Sequence, residues 1–273
     1  IFYCTTKLTK LQNEPKMIIN RDHFILKIAE TEAELVAAQR LRYRVFVEEM
    51  GARPAFDAVV GQESDAFDPY FDHLVLKDRR ITDERENVIG VYRLMQGETA
   101  VAGPGFYSAS EYDLSKISAS GRRVVELGRS CLDARYRGGL ALHLLWQGVT
   151  DYVIQYDIEL LFGVASFVGM DAEVYVDALS FLHENYLAPT TLRVTARESG
   201  MVSMTLKKKQ DIDRHKAVRQ IPTLIKSYLR LGGFVGEGVY LDRNFNTLDV
   251  CVILDRALIS SKQRMELEQG LFL

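Results

Sequence analysis

The segment from Val124 to Val153, VVELGRSCLDARYRGGLALHLLWQGVTDYV, constrains the fold more than any other part of the chain. It begins as an apolar strand, passes the paired glycines Gly138 and Gly139, and continues as a helix from Leu140. A glycine-rich turn before a helix presents backbone N–H groups to an anion, and the helix dipole adds to the attraction. The alternative is an ordinary tight turn in which glycine adopts a positive φ. Neither the Walker nor the Rossmann glycine pattern is present to decide between them.

Two charged residues, Glu126 and Arg129, interrupt the apolar strand. Three positions apart on a regular strand, they would point to opposite faces, but a bulge at Gly128 would turn both towards one cleft. Buried charges are costly and need a partner or a function. We therefore expect either a catalytic pair in a cleft or an ion pair between Glu126 and Arg129 that only fixes the strand.

The composition is that of a soluble globular protein, with 47% hydrophobic and 26% charged residues among 273. A net charge of −3 provides no general attraction for nucleic acid. The three cysteines and five histidines form no disulfide framework or metal-ligand motif, so we expect neither a disulfide nor a metal site. The longest run free of charged residues, 138–150, is too short to span a membrane. We expect a cytoplasmic protein.

Predicted strands and helices alternate along the chain with no linker or repeat between them. The fold class predicted is mixed α/β (α+β), with a central mixed twisted sheet flanked by helices. Residues 23–273 are expected to form a single domain, and residues 1–22 an N-terminal arm. The main predicted strands are 72–78, 87–95, 124–132, 158–169, 234–242 and 247–255, and the main predicted helices are 29–52, 140–156, 171–189 and 222–233.

Several blocks of sequence resemble known acyltransferases. ARYRGGLALHLLWQGV is similar to the phosphate-binding turn and helix of GNAT-type N-acyltransferases. From His23 onward, eight blocks in order resemble the ornithine N-acyltransferases that begin bacterial ornithine-lipid synthesis. These blocks are QRLRYRVFVEEMGA, FDHLVLKD, GVYRL, FYSASEYDLS, ELGRSCLDARYRGG, LFGVASF, LIKSYLRLGGFVGEG and FNTLDVCVIL. The acyl-homoserine lactone synthases share the fold, and this chain's Arg42-x-x-Val45-Phe46 and Glu126-x-x-Arg129 resemble theirs.

The resemblance implies a GNAT-like fold and transfer of a 3-hydroxyacyl group to the α-amine of ornithine, without a bound cofactor or metal. Leu140 stands where such turns usually carry a second glycine or alanine. This departure favours a donor with one phosphate, the 4′-phosphopantetheine arm of acyl carrier protein, over coenzyme A. The alternatives are an acyl-homoserine lactone synthase or other N-acyl amino acid synthase, and a non-catalytic module that binds acyl carrier protein or lipid.

The resemblance also implies roles for individual residues. The catalytic residues would be Glu126 as base, Arg129 beside it, and Tyr228 as proton donor to the thiolate, although Tyr228 also fits a packing stripe on its helix. The donor-binding residues would be Leu127, Cys131, Leu132, Arg135, Arg137, Gly138 and Gly139. The acceptor-binding residues would be Arg42, Glu63, Asp65 and Asp68, with Asp72 less favoured.

A basic run contrasts with that acidic segment. Its residues Lys207, Lys208, Lys209 and Arg214 are predicted to dock acyl carrier protein or to contact the anionic cytoplasmic face of the inner membrane. The alternative is a solvated surface, which is the usual role of a charge run.

Overall fold

The computed structural model of the protein describes residues 18–53, 59–263 and 265. The strands along the chain are β1 (Ile18–Arg21), β2 (Phe24–Ile28), β3 (Asp72–Asp78), β4 (Val88–Gln96), β5 (Tyr112–Asp113), β6 (Val124–Leu132), β7 (Leu160–Val168), β8 (Thr195–Ala196), β9 (Met201–Val202), β10 (Phe234–Val235), β11 (Val239–Asp242) and β12 (Thr247–Asp255). The helices are α1 (Glu32–Arg42), α2 (Gly97–Ala102), α3 (Ser115–Ser118), α4 (Leu140–Gln155), α5 (Val176–Tyr186), α6 (Arg214–Gln220) and α7 (Thr223–Arg230).

One large sheet forms the centre of the fold, in the order β1-β2-β3-β4-β6-β7-β12-β11-β9, with β10 also pairing with β12. Its neighbours are antiparallel except β6 and β7, which are parallel. Helix α4 lies against the sheet and buries Trp146 in the main hydrophobic core. The predicted mixed α/β architecture is confirmed. Within the described residues, no helix is long and apolar enough to cross a membrane.

Most predicted elements are present, and the differences have local causes. Strands β3 and β12 have the predicted bounds. The predicted helix 29–52 begins as expected, since Thr31 Oγ1 accepts a hydrogen bond from Glu34 N at 3.2 Å, but it changes at Tyr43–Glu49 into a π-helix. The predicted strand 234–242 is divided into β10 and β11, because Gly238 between them has φ +77°.

The hairpin of β1 and β2 includes part of the predicted N-terminal arm. Strand β1 pairs with β2 from Ile18↔Lys27 to Arg21↔Phe24, so residues 18–21 are part of the central sheet. Residues 1–17 of the predicted arm lie outside the described residues. The division at residue 22 therefore stays a prediction, although residues 18–21 already belong to the sheet.

Strands β6 and β7 part halfway along their length. Their registered pairs end at Glu126↔Phe162, although β6 continues to Leu132 and β7 to Val168. A cavity of about 460 Å³ is lined by both strands beyond this point. Gly163 lies where they part, and a Cβ there would come within 2.1 Å of the carbonyl oxygen of Leu127. The close approach of two backbones at this point therefore requires glycine.

The bulge predicted in β6 is also present. Strand β4 opposes it with the pairs Arg93↔Gly128 and Val91↔Cys131, so β6 carries one extra residue between them. The residue with a positive φ is Arg129, at +50°, rather than Gly128. A left-handed conformation costs a non-glycine residue on the order of 1 kcal/mol or more. The bulge turns both Glu126 and Arg129 towards the cavity, as predicted.

We expect Gly163→Ala to lower the free energy of unfolding by about 1–3 kcal/mol, because the clash is with backbone and no side chain can rotate away from it. Gly128→Ala is the matched control on the neighbouring strand, since its Cβ would meet only Phe71 Cε1 at 4.0 Å. Urea denaturation measures both. Equal stabilities of the two variants would show that β6 and β7 do not approach as closely as described.

Candidate active site

Glu126 is a buried carboxylate held by a turn of the backbone. Its side chain is only 1% exposed, and its two oxygens accept hydrogen bonds from the amides of Tyr107 at 2.8 Å and Ser108 at 2.6 Å. Burial raises the pKa of Glu126 above its ordinary value, although the hydrogen bonds from Ser108 and Tyr107 oppose the rise. The alternative interpretation, an ion pair between Glu126 and Arg129, is wrong, because the carboxylate of Glu126 is bound by backbone amides.

Arg129 belongs instead to a network of buried ion pairs that we call the arginine–carboxylate cluster. Its members are Arg42, Arg93, Arg129, Glu63, Asp65 and Asp68. Three guanidinium groups face three carboxylates, so the cluster as a whole is neutral. Arg42 and Arg93 are fully buried, and such groups are tolerated only when they are paired.

Asp68 is the centre of the cluster. Its Oδ1 accepts hydrogen bonds from Arg42 Nη1 at 2.7 Å and Arg93 Nη1 at 2.6 Å, and its Oδ2 accepts one from Gln39 at 2.9 Å. Burial alone would raise the pKa of Asp68, but the two guanidinium groups hold it well below its ordinary value. Asp68 is therefore ionised at neutral pH.

Arg129 joins the cluster from the bulge. Its Nε donates to Glu63 Oε1 at 3.1 Å and its Nη2 to Asp65 Oδ2 at 3.0 Å. The guanidinium group also stacks between the rings of Tyr107 and Phe245, 4.7 and 4.3 Å from their centroids. The ring of Tyr107 thus contacts Arg129 while its amide holds Glu126.

These contacts do not support the acceptor role predicted for Arg42, Glu63, Asp65 and Asp68. Each carboxylate already binds two guanidinium groups. Among the described residues, those that line the cavity include none of these four. Asp72, the less favoured candidate, instead accepts a hydrogen bond from the hydroxyl of Tyr152 at 2.7 Å.

A second acidic cluster was not predicted from the sequence. Glu111, Asp242 and Asp249 are buried, and one carboxylate oxygen of each lies within 4.8 Å of the others. Burial raises the pKa of Glu111 well above its ordinary value, and it raises the pKa of Asp249 to about 6. Three carboxylates this close could hold a cation. No local motif in the sequence marks them, because the chain brings together two distant segments, the turn that precedes Glu111 and the β11–β12 hairpin that carries Asp242 and Asp249.

The predicted donor-binding residues lie in two places. Leu127, Cys131, Leu132 and Arg137 line the cavity. Burial raises the pKa of Cys131 to about 12, so it remains a thiol and does not act as a nucleophile at neutral pH.

The other three predicted donor-binding residues, Arg135, Gly138 and Gly139, lie in an exposed turn at the end of the cavity. Gly138 has φ +79°, Gly139 precedes the first residue of α4, and no side chain caps that helix. Arg135 is 69% exposed and bound to Asp133 at 2.8 Å. The turn therefore offers free backbone amides, while the charge of Arg135 is already partly neutralised.

Tyr228 lines the cavity from α7. Its hydroxyl lies 3.1 Å from that of Tyr92, and its ring packs edge-on against Trp146 with centroids 5.0 Å apart. Burial raises the pKa of Tyr228 well above its ordinary value, so the hydroxyl keeps its proton. Both predicted roles, packing and proton donation, are compatible with this position.

Comparison with known proteins identifies the family. The acetyltransferase (GNAT) domain profile matches residues 41–147. An L-ornithine N(alpha)-acyltransferase from Rhodobacter capsulatus is 47% identical over 88% of this chain and 92% of its own. Another from Agrobacterium fabrum is 42% identical over 86% and 82%. The chain belongs to the L-ornithine N(alpha)-acyltransferase family. The predicted resemblance and GNAT-like fold are thereby confirmed.

Among solved structures, the AHL synthase LasI is similar with a TM-score of 0.45 and 15% identity, over 86% of this chain and 91% of its own. A similarity at this level says nothing about the substrate.

In this member of the L-ornithine N(alpha)-acyltransferase family, the four residues of the predicted basic docking run have different surroundings. Lys207 Nζ donates to the buried Asp177 at 2.6 Å, and Lys216 holds the other oxygen of the same carboxylate at 3.2 Å. Lys208 and Lys209 are exposed, and Arg214 is exposed beside the ring of Phe181. Lys207 thus has a structural partner, whereas the other three predicted docking residues face solvent.

Asp68→Asn is expected to destabilise this L-ornithine N(alpha)-acyltransferase family member by about 3–5 kcal/mol, since it leaves Arg42 and Arg93 buried with too little negative charge. Because the pKa of Asp68 is lowered on folding, its contribution is complete above the unfolded pKa, near ~4, and is lost as the pH falls towards the folded value. The difference between wild type and variant should therefore shrink below about pH 4.

Glu86→Gln is the control, because Glu86 pairs with Arg40 and Arg44 at the surface, where such pairs contribute about 0–1 kcal/mol. Denaturant unfolding at several pH values measures both variants. An Asp68→Asn protein as stable as Glu86→Gln at pH 7 would contradict the central position given to Asp68.

Proposed function

We propose that this protein transfers a 3-hydroxyacyl group from acyl carrier protein to the α-amine of L-ornithine, which yields lyso-ornithine lipid. The observation that carries the proposal is a buried carboxylate, Glu126, at the point where two parallel strands part around a cavity. The acceptor is inferred from relatives 40–47% identical that are named for ornithine. The catalytic domain in this proposal comprises residues 23–273 together with strand β1, Ile18–Arg21.

The donor fits between the parted strands. Beyond Glu126, the edge of β6 that faces β7 is free of registered strand pairs, so its N–H and C=O groups are available to the amides of a pantetheine arm. The turn at Gly138 and Gly139 would receive the phosphate, with the uncapped N-terminus of α4 behind it. Leu127, Cys131 and Leu132 then face the arm, and Arg137 lies at the phosphate end. Leu140, in place of the usual second glycine or alanine of such turns, favours a donor with one phosphate and so supports acyl carrier protein.

Proton affinity decides which amine of ornithine reacts. An α-amine has a pKa of roughly 8, against ~10.4 for a side-chain amine of the lysine type. Near neutral pH the α-amine therefore provides far more of the neutral nucleophile, while the side-chain amine stays a cation.

The reaction is a direct displacement at the thioester carbonyl. The α-nitrogen forms a bond to the carbonyl carbon, and Glu126, directly or through one water, accepts the proton that the nitrogen loses. The raised pKa of Glu126 suits a base that must bind this proton. As the C–S bond breaks, Tyr228 donates a proton to the thiolate, helped by its contact with the Tyr92 hydroxyl. Arg129 is a positioning residue, because it fixes the ring of Tyr107, whose amide holds Glu126.

The product carries an acyl chain and is expected to leave for a membrane. We propose that the protein works in the cytoplasm with peripheral contact at the anionic inner-membrane surface. The exposed charges of Lys208, Lys209 and Arg214 support both this contact and docking of an acidic carrier protein.

We expect Glu126→Gln to lower kcat by about 10²- to 10⁴-fold, since an amide cannot accept the proton. The wild-type rate should fall as the pH drops and Glu126 becomes protonated, at a higher pH than for an exposed carboxyl because its pKa is raised. The part of this acidic limb that Glu126 causes should be absent in the variant, whereas the part caused by protonation of the substrate's α-amine, with a pKa of roughly 8, should remain. The measurement is kcat against pH with ornithine as acceptor.

The same substitution also affects stability. A glutamine side chain has one accepting oxygen, so one of the amides of Tyr107 and Ser108 loses its partner, at about 1–3 kcal/mol. Rates should therefore be compared well below the melting temperature of the variant. A folded Glu126→Gln enzyme with the wild-type rate and the same acidic limb would refute the assignment of Glu126 as base.

For the donor, we expect 3-hydroxyacyl–acyl carrier protein to be used with a higher kcat/KM than the coenzyme A thioester of the same chain. Reversing the charge of both Lys208 and Lys209 should raise KM for the carrier protein and weaken its salt dependence, since exposed charges mainly affect encounter. The measurement is the rate of N-acylornithine formation, followed by mass spectrometry.

Two controls accompany this comparison. The coenzyme A thioester lacks the carrier protein, so its KM should not change in the Lys208/Lys209 variant. Lys207 is left intact, because a carboxylate there would face the buried Asp177 and destabilise the fold. Equal use of the two donors would remove the carrier-protein proposal, and lactone formation from S-adenosylmethionine would assign the protein to the acyl-homoserine lactone synthases.

A further inference from the structure

The two buried acidic groups of the protein differ in what neutralises them. In the arginine–carboxylate cluster every carboxylate binds guanidinium groups. Across the part of the chain that the structure describes, Glu111, Asp242 and Asp249 form no ion pair at all. Burial of three carboxylates is costly, and it raises the pKa values of Glu111 and Asp249 although the charge of Arg129 opposes the rise. A cation bound among the three would stabilise their ionised forms.

Two oxygen atoms of the cluster, Glu111 Oε2 and Asp249 Oδ1, are buried and have no hydrogen-bond partner among the described residues. Both residues are only 3% exposed. The hydroxyls of Ser166 and Thr247 lie beside the Asp249 carboxylate and moderate the rise of its pKa. Buried acceptors in native proteins are almost always satisfied, and an exception commonly marks a missing ligand. Asp242 and Asp249 also line the cavity that contains Glu126, so a ligand in the cavity can reach them.

A short turn links this cluster to Glu126. Residues Tyr107–Ser110 form a single turn of 3-10 helix, and the first two amides of that turn hold the Glu126 carboxylate. Glu111 follows directly, with its own amide bonded to Ser108 O at 3.1 Å. The charge of Glu126 contributes to the raised pKa of Glu111, which confirms that the two carboxylates are within electrostatic reach.

We propose that Glu111, Asp242 and Asp249 form the subsite that holds the side-chain ammonium of the amino-acid acceptor, an inference that rests on the function proposed above. An ammonium group has three N–H donors and no acceptor, and three carboxylates converge here. The N–H groups of the ammonium would donate hydrogen bonds to Glu111 Oε2 and Asp249 Oδ1, and its positive charge would offset the negative charge there. The α-amine would then face Glu126, with the three methylenes of ornithine between the two ends.

The donor set fits an ammonium better than a divalent cation. Asp242 Oδ1 already accepts hydrogen bonds from the amides of Asn244 at 2.7 Å and Phe245 at 3.1 Å. Calcium needs about six to eight oxygen ligands, and magnesium needs a near-ideal octahedron. Three carboxylates, one of them partly used, meet the three donors of an ammonium without further ligands.

The test uses Asp249→Asn and Glu111→Gln with ornithine and norvaline as acceptors. Norvaline has the α-amine and the same carbon chain but no side-chain ammonium. Wild type should strongly prefer ornithine, and each variant should reduce the ratio of kcat/KM for ornithine to that for norvaline about 10- to 100-fold, the loss of one charged hydrogen bond. A merely structural residue would change both acceptors in parallel and leave this ratio unaltered.

Melting temperature provides a second readout. Because the pKa of Asp249 is raised on folding, its ionised form opposes folding above its ordinary pKa, and Asp249→Asn should melt at the same temperature or higher at pH 7.5. Glu63→Gln is the matched control from the arginine–carboxylate cluster: it should melt lower and keep its ornithine preference.

Each outcome bears on one proposal. If wild type acylates neither amino acid, the proposed function fails. If wild type acylates ornithine but shows no preference over norvaline, or if Asp249→Asn keeps the preference, only the ammonium subsite fails. If magnesium or calcium chloride raises the melting temperature of wild type without ornithine but not that of Asp249→Asn, the cluster is a divalent-cation site and the proposal is overturned.

Discussion

The centre of this molecule depends on one carboxylate oxygen, which accepts hydrogen bonds from two buried arginines. Asp68 Oδ1 binds Arg42 at the end of α1 and Arg93 in β4, so it joins a helix to the sheet on which that helix lies. Glu63 and Asp65 extend the network to Arg129 in β6. Neither Arg42 nor Arg93 can stay buried without these partners. The irregular segment that carries the three carboxylates is therefore as much a part of the core as the strands.

Burial has opposite consequences for the two acidic groups because their neighbours differ. Beside arginines, the pKa of Asp68 falls although burial would raise it. Beside other carboxylates, the pKa of Asp249 rises to about 6. Glu126 is intermediate, since backbone amides moderate the rise that burial causes. The chain thus builds two buried groups from the same carboxylate residues, one permanently charged and one whose protonation responds to pH.

Local patterns predicted the parts of the fold that local physics decides. Thr31 and Glu34 indicated a helix start, the continuous apolar run of β7 a buried strand, and Glu126 with Arg129 a bulge, and each is present. The partners of Arg129 could not be predicted from the sequence, because Glu63 lies 66 positions away and no local pattern links the two residues.

The two acidic clusters also show that local sequence does not reveal the partners a residue has in the folded protein. Glu63, Asp65 and Asp68 drew attention because they stand close together in sequence, but arginines from other elements neutralise them. Glu111, Asp242 and Asp249 stand apart in sequence and meet only through the turn after Tyr107 and the pairing of β11 with β12. Which carboxylates lack a guanidinium partner is a property of tertiary structure, so local sequence patterns could not show it.

The left-handed backbone of Arg129 restricts how this site can change. Glycine would relax the strain at φ +50°, but it would remove the guanidinium group that Glu63 and Asp65 bind. Lysine would keep a charge but not the planar fork that spans two carboxylates and stacks between Tyr107 and Phe245. Either replacement therefore exchanges one loss for another. Position 129 is constrained twice, by the backbone of the bulge and by the acidic segment that its side chain binds.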